Sequence, residues 1–289
     1  MRLRAWLELT RASNLPTVWS NVATGATIAV ATGLVDVGVA TVGKVAAAAV
    51  SGSLLYCFGT AHNDLRDADR DLTVRAGKPI PSGRISRRAA RSMAYACLVA
   101  GIGIAALVSA QVLYAAVLIG LFSALYNREH GSHATSVLWL GVARGLLYGM
   151  GAFATGREHV PELFWPVAAL IGYTAHLTLL ARAESRPGGR VRGRAALPLP
   201  LWGLLMLLSI GDGSLLVFVG LWVPFAGWVL AGVRTATGGA TVSGVMAWIA
   251  GMCLLDVAVV AWAGAFWMMP LPLALFVLTR HAQARVTGS

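Results

Sequence analysis

Nine apolar stretches, most of them close to the ~20 residues that a helix needs to cross a bilayer, follow one another along this chain. Only 12% of its 289 residues are charged, whereas soluble domains carry about 25%. A soluble enzyme, a disordered chain and a fibrous protein are therefore excluded, and the pattern predicts an all-α, polytopic integral membrane protein with about nine transmembrane helices. The stretches cover residues 15–34, 44–62, 92–110, 112–126, 136–155, 163–181, 196–210, 214–233 and 243–266, and a shorter one continues to about residue 279.

Basic residues are concentrated in alternate connections between the predicted spans. Segments 66–91 and 182–194 contain eight and five of them, whereas the connections on the other side contain only Lys44 and Arg157. Since cytoplasmic loops carry the excess of Lys and Arg, this asymmetry predicts a multi-pass protein of the cell membrane with its N-terminus and segment 63–91 in the cytoplasm. Orientation and contact with anionic membrane lipids account for most of the net charge of +11, so nucleic acid is not needed as a partner.

A cluster of acidic residues directly follows the second predicted span. If the helix continues through it, Asn63, Asp64, Asp67 and Asp71 share one face, while Asp69 points away. Like charges stacked on one face repel each other unless a cation neutralises them. Mg²⁺ is such a cation, and it usually binds through one or two carboxylates together with the phosphates of a substrate. The cluster therefore indicates a magnesium site, and the alternative is an ordinary solvated loop of alternating Asp and Arg.

The string Asn63-Asp64-x-x-Asp67-x-x-x-Asp71 resembles the first aspartate-rich motif of the UbiA superfamily of intramembrane prenyltransferases. Segment 78–86 is similar to the RPxPSGRIS-like loop of the same family, with Lys78 in place of the usual arginine. The resemblance implies one UbiA-type domain over residues 1–289, with nine helices around a central, lipid-accessible cavity.

The resemblance also implies an activity, in which a prenyl diphosphate binds through Mg²⁺ and two basic partners. The metal ligands would be Asn63, Asp64, Asp67 and Asp71, and the partners of the diphosphate would be Lys78 and Arg84. Departure of the diphosphate would leave an allylic carbocation, which a hydrophobic or aromatic acceptor attacks within the membrane while the apolar cavity excludes water. The alternatives are a UbiA-type terpene cyclase, which uses no acceptor, and a non-catalytic membrane carrier or transporter that retains the fold.

The second aspartate motif of the family is depleted in this chain. Segment 173–186 contains only Glu184 as a carboxylate. Either Glu184 ligates a second metal ion, or Arg182 and Arg186 hold the diphosphate directly, so the number of metal ions stays open. Three strings resemble the EboC-type branch of UbiA-like proteins, namely residues 14–17, 144–146 and 173–186.

Polar residues within the predicted spans are further candidates for substrate binding. A charge inside a span is costly, so a functional role is the default for Arg144. Tyr173 and His176 share a helical face with the carboxylate of the second motif and could contact the acceptor or the diphosphate, although packed, hydrogen-bonded roles suit them equally. Asn21 and Tyr148 are predicted to line the cavity.

Overall fold

The computed structural model describes residues 2–33, 35, 37–129, 134–184, 191, 193–209 and 215–286, and every regular element among them is helical. The α-helices are α1 (Arg2–Leu9), α2 (Leu15–Ala31), α3 (Val39–Val74), α4 (Arg87–Val108), α5 (Ala110–Glu129), α6 (Val137–Ala154), α7 (Phe164–Glu184), α8 (Gly193–Ala196), α9 (Leu215–Thr237), α10 (Thr241–Trp262) and α11 (Pro270–Arg285). Short 3₁₀ segments cover Ala12–Asn14, Ala134–Ser136, Pro161–Leu163, Leu199–Ser209 and Phe266–Met268.

Within the described residues, seven helices are long and apolar enough to cross a membrane, namely α3, α4, α5, α6, α7, α9 and α10. The other two predicted spans are shorter. Segment 15–34 forms the 17-residue α2, and segment 196–210 contains the 3₁₀ helix Leu199–Ser209. The apolar tail forms α11, with 16 residues. The prediction of an all-α polytopic membrane protein is confirmed.

Helix α3 is longer than one membrane crossing requires. Its 36 residues give a length of about 54 Å, whereas the hydrocarbon core is only about 30 Å thick. The surplus length lets residues 63–71 continue the helix outside the apolar layer, as the sequence predicts. The following loop, residues 75–86, folds back onto α1 and α3, because its Ile80 and Ile85 are buried in the same apolar cluster as Leu9 and Phe58.

Glycines allow α2 and α6 to approach at backbone distance. A Cβ atom on Gly25 of α2 would lie 1.9 Å from the carbonyl oxygen of Tyr148, and one on Gly151 of α6 would lie 1.8 Å from that of Val22. No larger residue fits at either position without moving a backbone. This contact holds the polar residues near the start of α2 against the middle of α6.

Candidate active site

The aspartate-rich face of α3 is divided into two parts. Asn63 and Asp67 line an internal cavity, and the Asn63 amide donates to Asp67 Oδ2 at 3.3 Å. Asp64 and Asp71 are buried, at 3% and 1% exposure, behind the cavity wall. Asp69 lies on the opposite side of the helix, where its side chain is 80% exposed and pairs with Arg87. Four of the predicted residues therefore come together, and Asp69 does not join them.

Lys78 bridges the two buried carboxylates. Its Nζ donates to Asp64 Oδ1 at 3.0 Å and to Asp71 Oδ2 at 2.9 Å. Lys78 is itself only 3% exposed, yet it contributes to the wall of the cavity. The predicted diphosphate partner therefore lies at the aspartate cluster and is paired with it.

Arg84, the other predicted diphosphate partner, does not line the cavity among the described residues. Its guanidinium pairs with Glu8 of α1, with Nη1 2.6 Å from Oε2. It also donates to the Gly77 carbonyl oxygen at 2.7 Å and to Ser82 Oγ at 3.1 Å. These contacts fasten the loop to α1, and a contact of Arg84 with diphosphate stays a prediction.

A cavity of about 500 Å³ extends from the aspartate cluster into the helix bundle. Its size is within the range of small-molecule sites. Apolar side chains form its inner walls, including Leu55, Ile119, Leu147, Ile249 and Met252. The charged residues that line it in the described part of the chain are Arg11, Asp67, Arg70, Arg75, Lys78, Arg144 and Arg182. The cavity thus combines a strongly cationic end with an apolar interior, as a ligand with an anionic head and a hydrocarbon tail requires.

Arginines reach this cavity at two depths. Arg182 of α7 donates to Ser136 Oγ at 2.7 Å and lies 5.3 Å from the centroid of the Tyr126 ring. Arg144 of α6 donates to Thr17 Oγ1, and its buried Nε has no hydrogen-bond partner within the described structure. Since Arg144 follows Ser136 by eight residues along the helix axis, it lies roughly 12 Å deeper. Both predicted arginines are in the cavity wall.

Arg11 also belongs to the site, although in the sequence it looks like one of the basic residues that determine membrane orientation. It lines the cavity, and its Nη2 lies 3.7 Å from Asp64 Oδ1. Burial acts to lower the pKa of Arg11, but the charges of Asp64 and Asp67 raise it, and the net shift is upward. Its φ of 48° is the only positive value recorded for a non-glycine residue in the described chain, a conformation that concentrates at functional sites.

Tyr173 and His176 do not line the cavity in the described structure. The Tyr173 hydroxyl donates to the Trp248 carbonyl oxygen at 2.7 Å. His176 Nε2 lies 2.7 Å from the Ala195 carbonyl oxygen, and its Nδ1 accepts from the Trp202 indole at 3.2 Å. This face of α7 packs against neighbouring protein, which was the equal alternative from the sequence, and substrate contacts of the two residues stay a prediction. Other residues of α7 face the cavity, namely Thr174, Leu177, Thr178, Ala181 and Arg182.

Glu184 ends α7, but its side chain lies outside the described residues, as does Arg186. The predicted choice between a second metal ion and direct binding by arginines therefore stays open at this carboxylate.

A buried carboxylate that the sequence pattern did not single out lies in the middle of the bundle. Asp256 of α10 is fully buried and accepts hydrogen bonds from Ser20, Asn21 and Tyr148. Asn21 and Tyr148 are thus engaged with Asp256 and do not line the cavity in the described structure, which corrects the prediction for both. A signal is present in the sequence, because Asp256 is an acidic residue within an apolar span, where an ionisable group is expected to have a specific partner.

The donor set of the aspartate cluster fits a magnesium ion. The described side chains hold no ready-made group of three His, Cys, Asp or Glu ligands, but Mg²⁺ needs only one or two carboxylates when substrate phosphates complete its coordination. Asp64 and Asp71 already converge on one cation, the Lys78 ammonium. Asn63 and Asp67 add oxygens on the cavity side. The fit rests on this all-oxygen set and on the convergence of two of its members.

Replacing His176 by alanine should leave the affinity for inorganic pyrophosphate unchanged, because the ring is held by Ala195 and Trp202 outside the cavity. Isothermal titration of the purified protein in lipid nanodiscs would measure this affinity. The matched positive control is Arg182→Ala on the cavity-facing side of the same helix. A loss in His176→Ala as large as in that control would contradict the assignment.

The chain matches the UbiA prenyltransferase family model over residues 18–285. A digeranylgeranylglyceryl phosphate synthase of Methanopyrus kandleri is 32% identical over 200 residues, which are 68% of this chain and 69% of that protein. A protein of the same name from Ignicoccus hospitalis is 34% identical over 174 residues, which are 59% of this chain and 54% of that protein.

Solved structures agree with the fold. A UbiA homologue from Archaeoglobus fulgidus bound to GPP and Mg²⁺ superposes with a TM-score of 0.63 at 16% identity, over 91% of this chain and 99% of that one. The apo structure of a UbiA homologue from Aeropyrum pernix K1 gives 0.57 at 19% identity, over 95% and 98% of the two chains. These matches do not confirm the predicted EboC-type branch. The family model, which matches residues 18–285, confirms the predicted family, and the chain belongs to the UbiA prenyltransferase family.

Proposed function

We propose that this protein transfers an isoprenyl group from a prenyl diphosphate to a lipid-soluble acceptor, with Mg²⁺ as its cofactor. The observation that carries this proposal is the joining, in one cavity of about 500 Å³, of a charged end lined by Asp67, Lys78 and several arginines with an apolar interior. The diphosphate belongs at the charged end, and the prenyl chain belongs between the apolar walls. The Archaeoglobus homologue with GPP and Mg²⁺ bound supports the same pairing of ligand and ion.

The residues at the charged end have separate tasks in this proposal. Asn63, Asp64, Asp67 and Asp71 would hold Mg²⁺, which when bound neutralises the charge that develops on the departing diphosphate. Lys78, Arg11 and Arg182 bind and orient the phosphate oxygens through charge-assisted hydrogen bonds, as their positions at this end of the cavity permit. The diphosphate then leaves with the electron pair of the broken carbon–oxygen bond.

The apolar interior protects the allylic centre that remains. Leu55, Ile119, Leu147 and Met252 line this part of the cavity, and they keep water away from the carbocation, so that the acceptor is the nucleophile. The new bond forms between the acceptor and the allylic carbon, and the acceptor loses a proton.

We further propose that the acceptor is a lipid that carries a phosphate group. The curated relatives are named for digeranylgeranylglyceryl phosphate, a name that joins two geranylgeranyl groups to glyceryl phosphate. The guanidinium of Arg144 lines the cavity among apolar side chains, and a positive charge in this position supports an anionic second substrate.

Product analysis in nanodiscs tests the proposed function. Purified protein would receive geranylgeranyl diphosphate and Mg²⁺, with or without geranylgeranylglyceryl phosphate or an uncharged aromatic acceptor, followed by mass spectrometry of the lipid extract. We expect a prenylated product only with the phosphate-bearing acceptor. A terpene formed without acceptor would indicate a cyclase instead, and binding without any conversion would indicate a carrier.

Replacing Arg182 by alanine should weaken prenyl diphosphate binding by about 10- to 150-fold, the equivalent of about 1.5–3 kcal/mol for a charge-assisted hydrogen bond. The metal concentration required for binding should not change. Arg84→Ala is the matched control, because it removes a guanidinium that contacts Glu8 outside the cavity. If Glu184→Gln raised the metal requirement while Arg182→Ala had no effect, the carboxylate would be the more important group at this end.

We propose that the N-terminus and the loop of residues 75–86 face the cytoplasm, as the distribution of basic residues supports. Single cysteines at Gly77 and Gly38 would test this in a variant lacking the native cysteines. A Cβ atom added at either position would meet open space, and the two positions lie at opposite ends of α3. We expect an impermeant thiol reagent added outside intact cells to label Gly38→Cys and spare Gly77→Cys; the reverse pattern would contradict the orientation.

A further inference from the structure

Lys78 sits where the aspartate cluster would otherwise need another cation. The side chains of Lys78, Asp64 and Asp71 are only 2–4% exposed, and the ammonium lies 2.9–3.0 Å from both carboxylates. Removing charges from water is unfavourable unless they are paired, and one ammonium neutralises only one of two carboxylates. Arg11 approaches Asp64 less closely, at 3.7 Å. Without Lys78, the pair would strongly favour a divalent cation.

The loop that carries Lys78 has a fixed backbone and a flexible side chain. Arg84 fastens the loop to Glu8 of α1, and buried Ile80 and Ile85 anchor it to the apolar cluster. The lysine itself ends in a compact charge on a flexible four-carbon stem. The ammonium can therefore change partners while the loop stays in place.

Lys78 also lies between the buried carboxylate pair and the cavity. Asp64 and Asp71 are behind the wall of the cavity, whereas Lys78, Asn63 and Asp67 are in it. An anionic group that enters the cavity meets the lysine before it meets the buried carboxylates. The ammonium thus has two competing sets of anionic partners, the carboxylates and any phosphate bound in the cavity.

We propose that Lys78 is the resident cation of the Asp64–Asp71 pair and exchanges with the metal ion when substrate binds. The ammonium moves from the carboxylates to phosphate oxygens, and the metal ion takes its place between the carboxylates. The binding of the metal ion and the binding of the diphosphate therefore promote each other, and the metal ion alone binds weakly. This inference rests on the proposed function, because it requires a metal ion and a diphosphate in the same cavity.

Metal binding in the absence of substrate provides the first test. Mn²⁺, which accepts the same oxygen ligands as Mg²⁺, can be titrated by electron paramagnetic resonance into wild-type protein, Lys78→Met and Lys78→Arg in nanodiscs. If the lysine occupies the pair about nine-tenths of the time, its removal should tighten Mn²⁺ binding about tenfold. Lys78→Arg, which keeps a cation, should bind Mn²⁺ as weakly as wild type, and adding Asp71→Asn to Lys78→Met should abolish the gain.

The wild-type chain offers a second test that needs no variant. Its sequence contains two lysines, Lys44 and Lys78, and Lys44 is exposed at the other end of α3. Labelling with an amine reagent, read by mass spectrometry, should modify Lys44 equally in all conditions. Labelling of Lys78 should be slow without metal and faster at saturating Mn²⁺, because the displaced ammonium enters the cavity.

The outcomes separate this inference from the proposed function. Equal Mn²⁺ affinities in wild type and Lys78→Met, or Lys78 labelling that does not respond to saturating Mn²⁺, would overturn the exchange while leaving the magnesium site in place. Failure of wild type to bind Mn²⁺ even with inorganic pyrophosphate would instead overturn the metal site itself. The labelling test decides the matter if Lys78→Met does not fold.

Discussion

Asp67→Asn is expected to lower prenyl transfer by at least about 10²- to 10³-fold, the loss that follows removal of one preorganised group that stabilises developing charge. Asp67 is the carboxylate of the cluster that faces the cavity directly. The substitution keeps the shape of the side chain and can keep a hydrogen bond with Asn63, but it removes the charge. The measurement is the initial rate of product formation at saturating prenyl diphosphate.

Asp69→Asn is the matched control, since it makes the same chemical change two residues away on the exposed side of α3. We expect its rate to stay close to that of wild type. Equal losses in the two variants, measured on folded protein, would mean that the orientation of the helix face does not decide function.

Asp256→Ala should destabilise the protein by about 3 kcal/mol, because three buried donors each lose their acceptor at about 1 kcal/mol or more. The donors are Ser20, Asn21 and Tyr148, and they come from two other helices. Unfolding in mixed detergent micelles would give the free-energy difference. Asp256→Asn, which keeps one acceptor oxygen, should lose only about 1 kcal/mol.

A double-mutant cycle identifies the origin of that loss. If the Asp256 network acts as a unit, Tyr148→Phe should cost far less in the Asp256→Ala background than in wild type, because the partner of the hydroxyl is already absent. Strict additivity of the two substitutions would mean that the tyrosine and the carboxylate contribute independently.

Helical periodicity is sufficient to predict the face of α3 that carries the cluster. Residues 63–71 are helical, so the spacing of Asn63, Asp64, Asp67 and Asp71 determines which side chains are neighbours, and Asp69 follows on the opposite side. The class of fold can be predicted in the same way, because the length of each apolar stretch can be read from the sequence itself. Both arguments depend only on residues close together in the chain.

Contacts between distant segments are not predictable in this way. A shared helical face suggests that Tyr173 and His176 reach the cavity, but which element covers that face depends on the packing of segment 195–202 and of α10. The partners of Lys78 are equally hidden, since a turn seven residues from Asp71 has no periodicity from which a direction can be read. Asp256 can be found only by asking what an acidic residue inside an apolar span pairs with.

The backbone contact between α2 and α6 has a consequence for the sizes of substrate that the protein can accept. A Cβ atom at Gly25 or Gly151 would overlap a carbonyl group of the facing helix, so the two backbones are already in close contact, and α2 supports the part of the cavity wall that α6 provides. A longer prenyl chain must be accommodated by displacement of other helices, such as α3, α5 or α10, whose side chains also line the cavity. Variation in chain-length preference among related sequences should therefore map to residues on those helices, while small residues persist at positions 25 and 151.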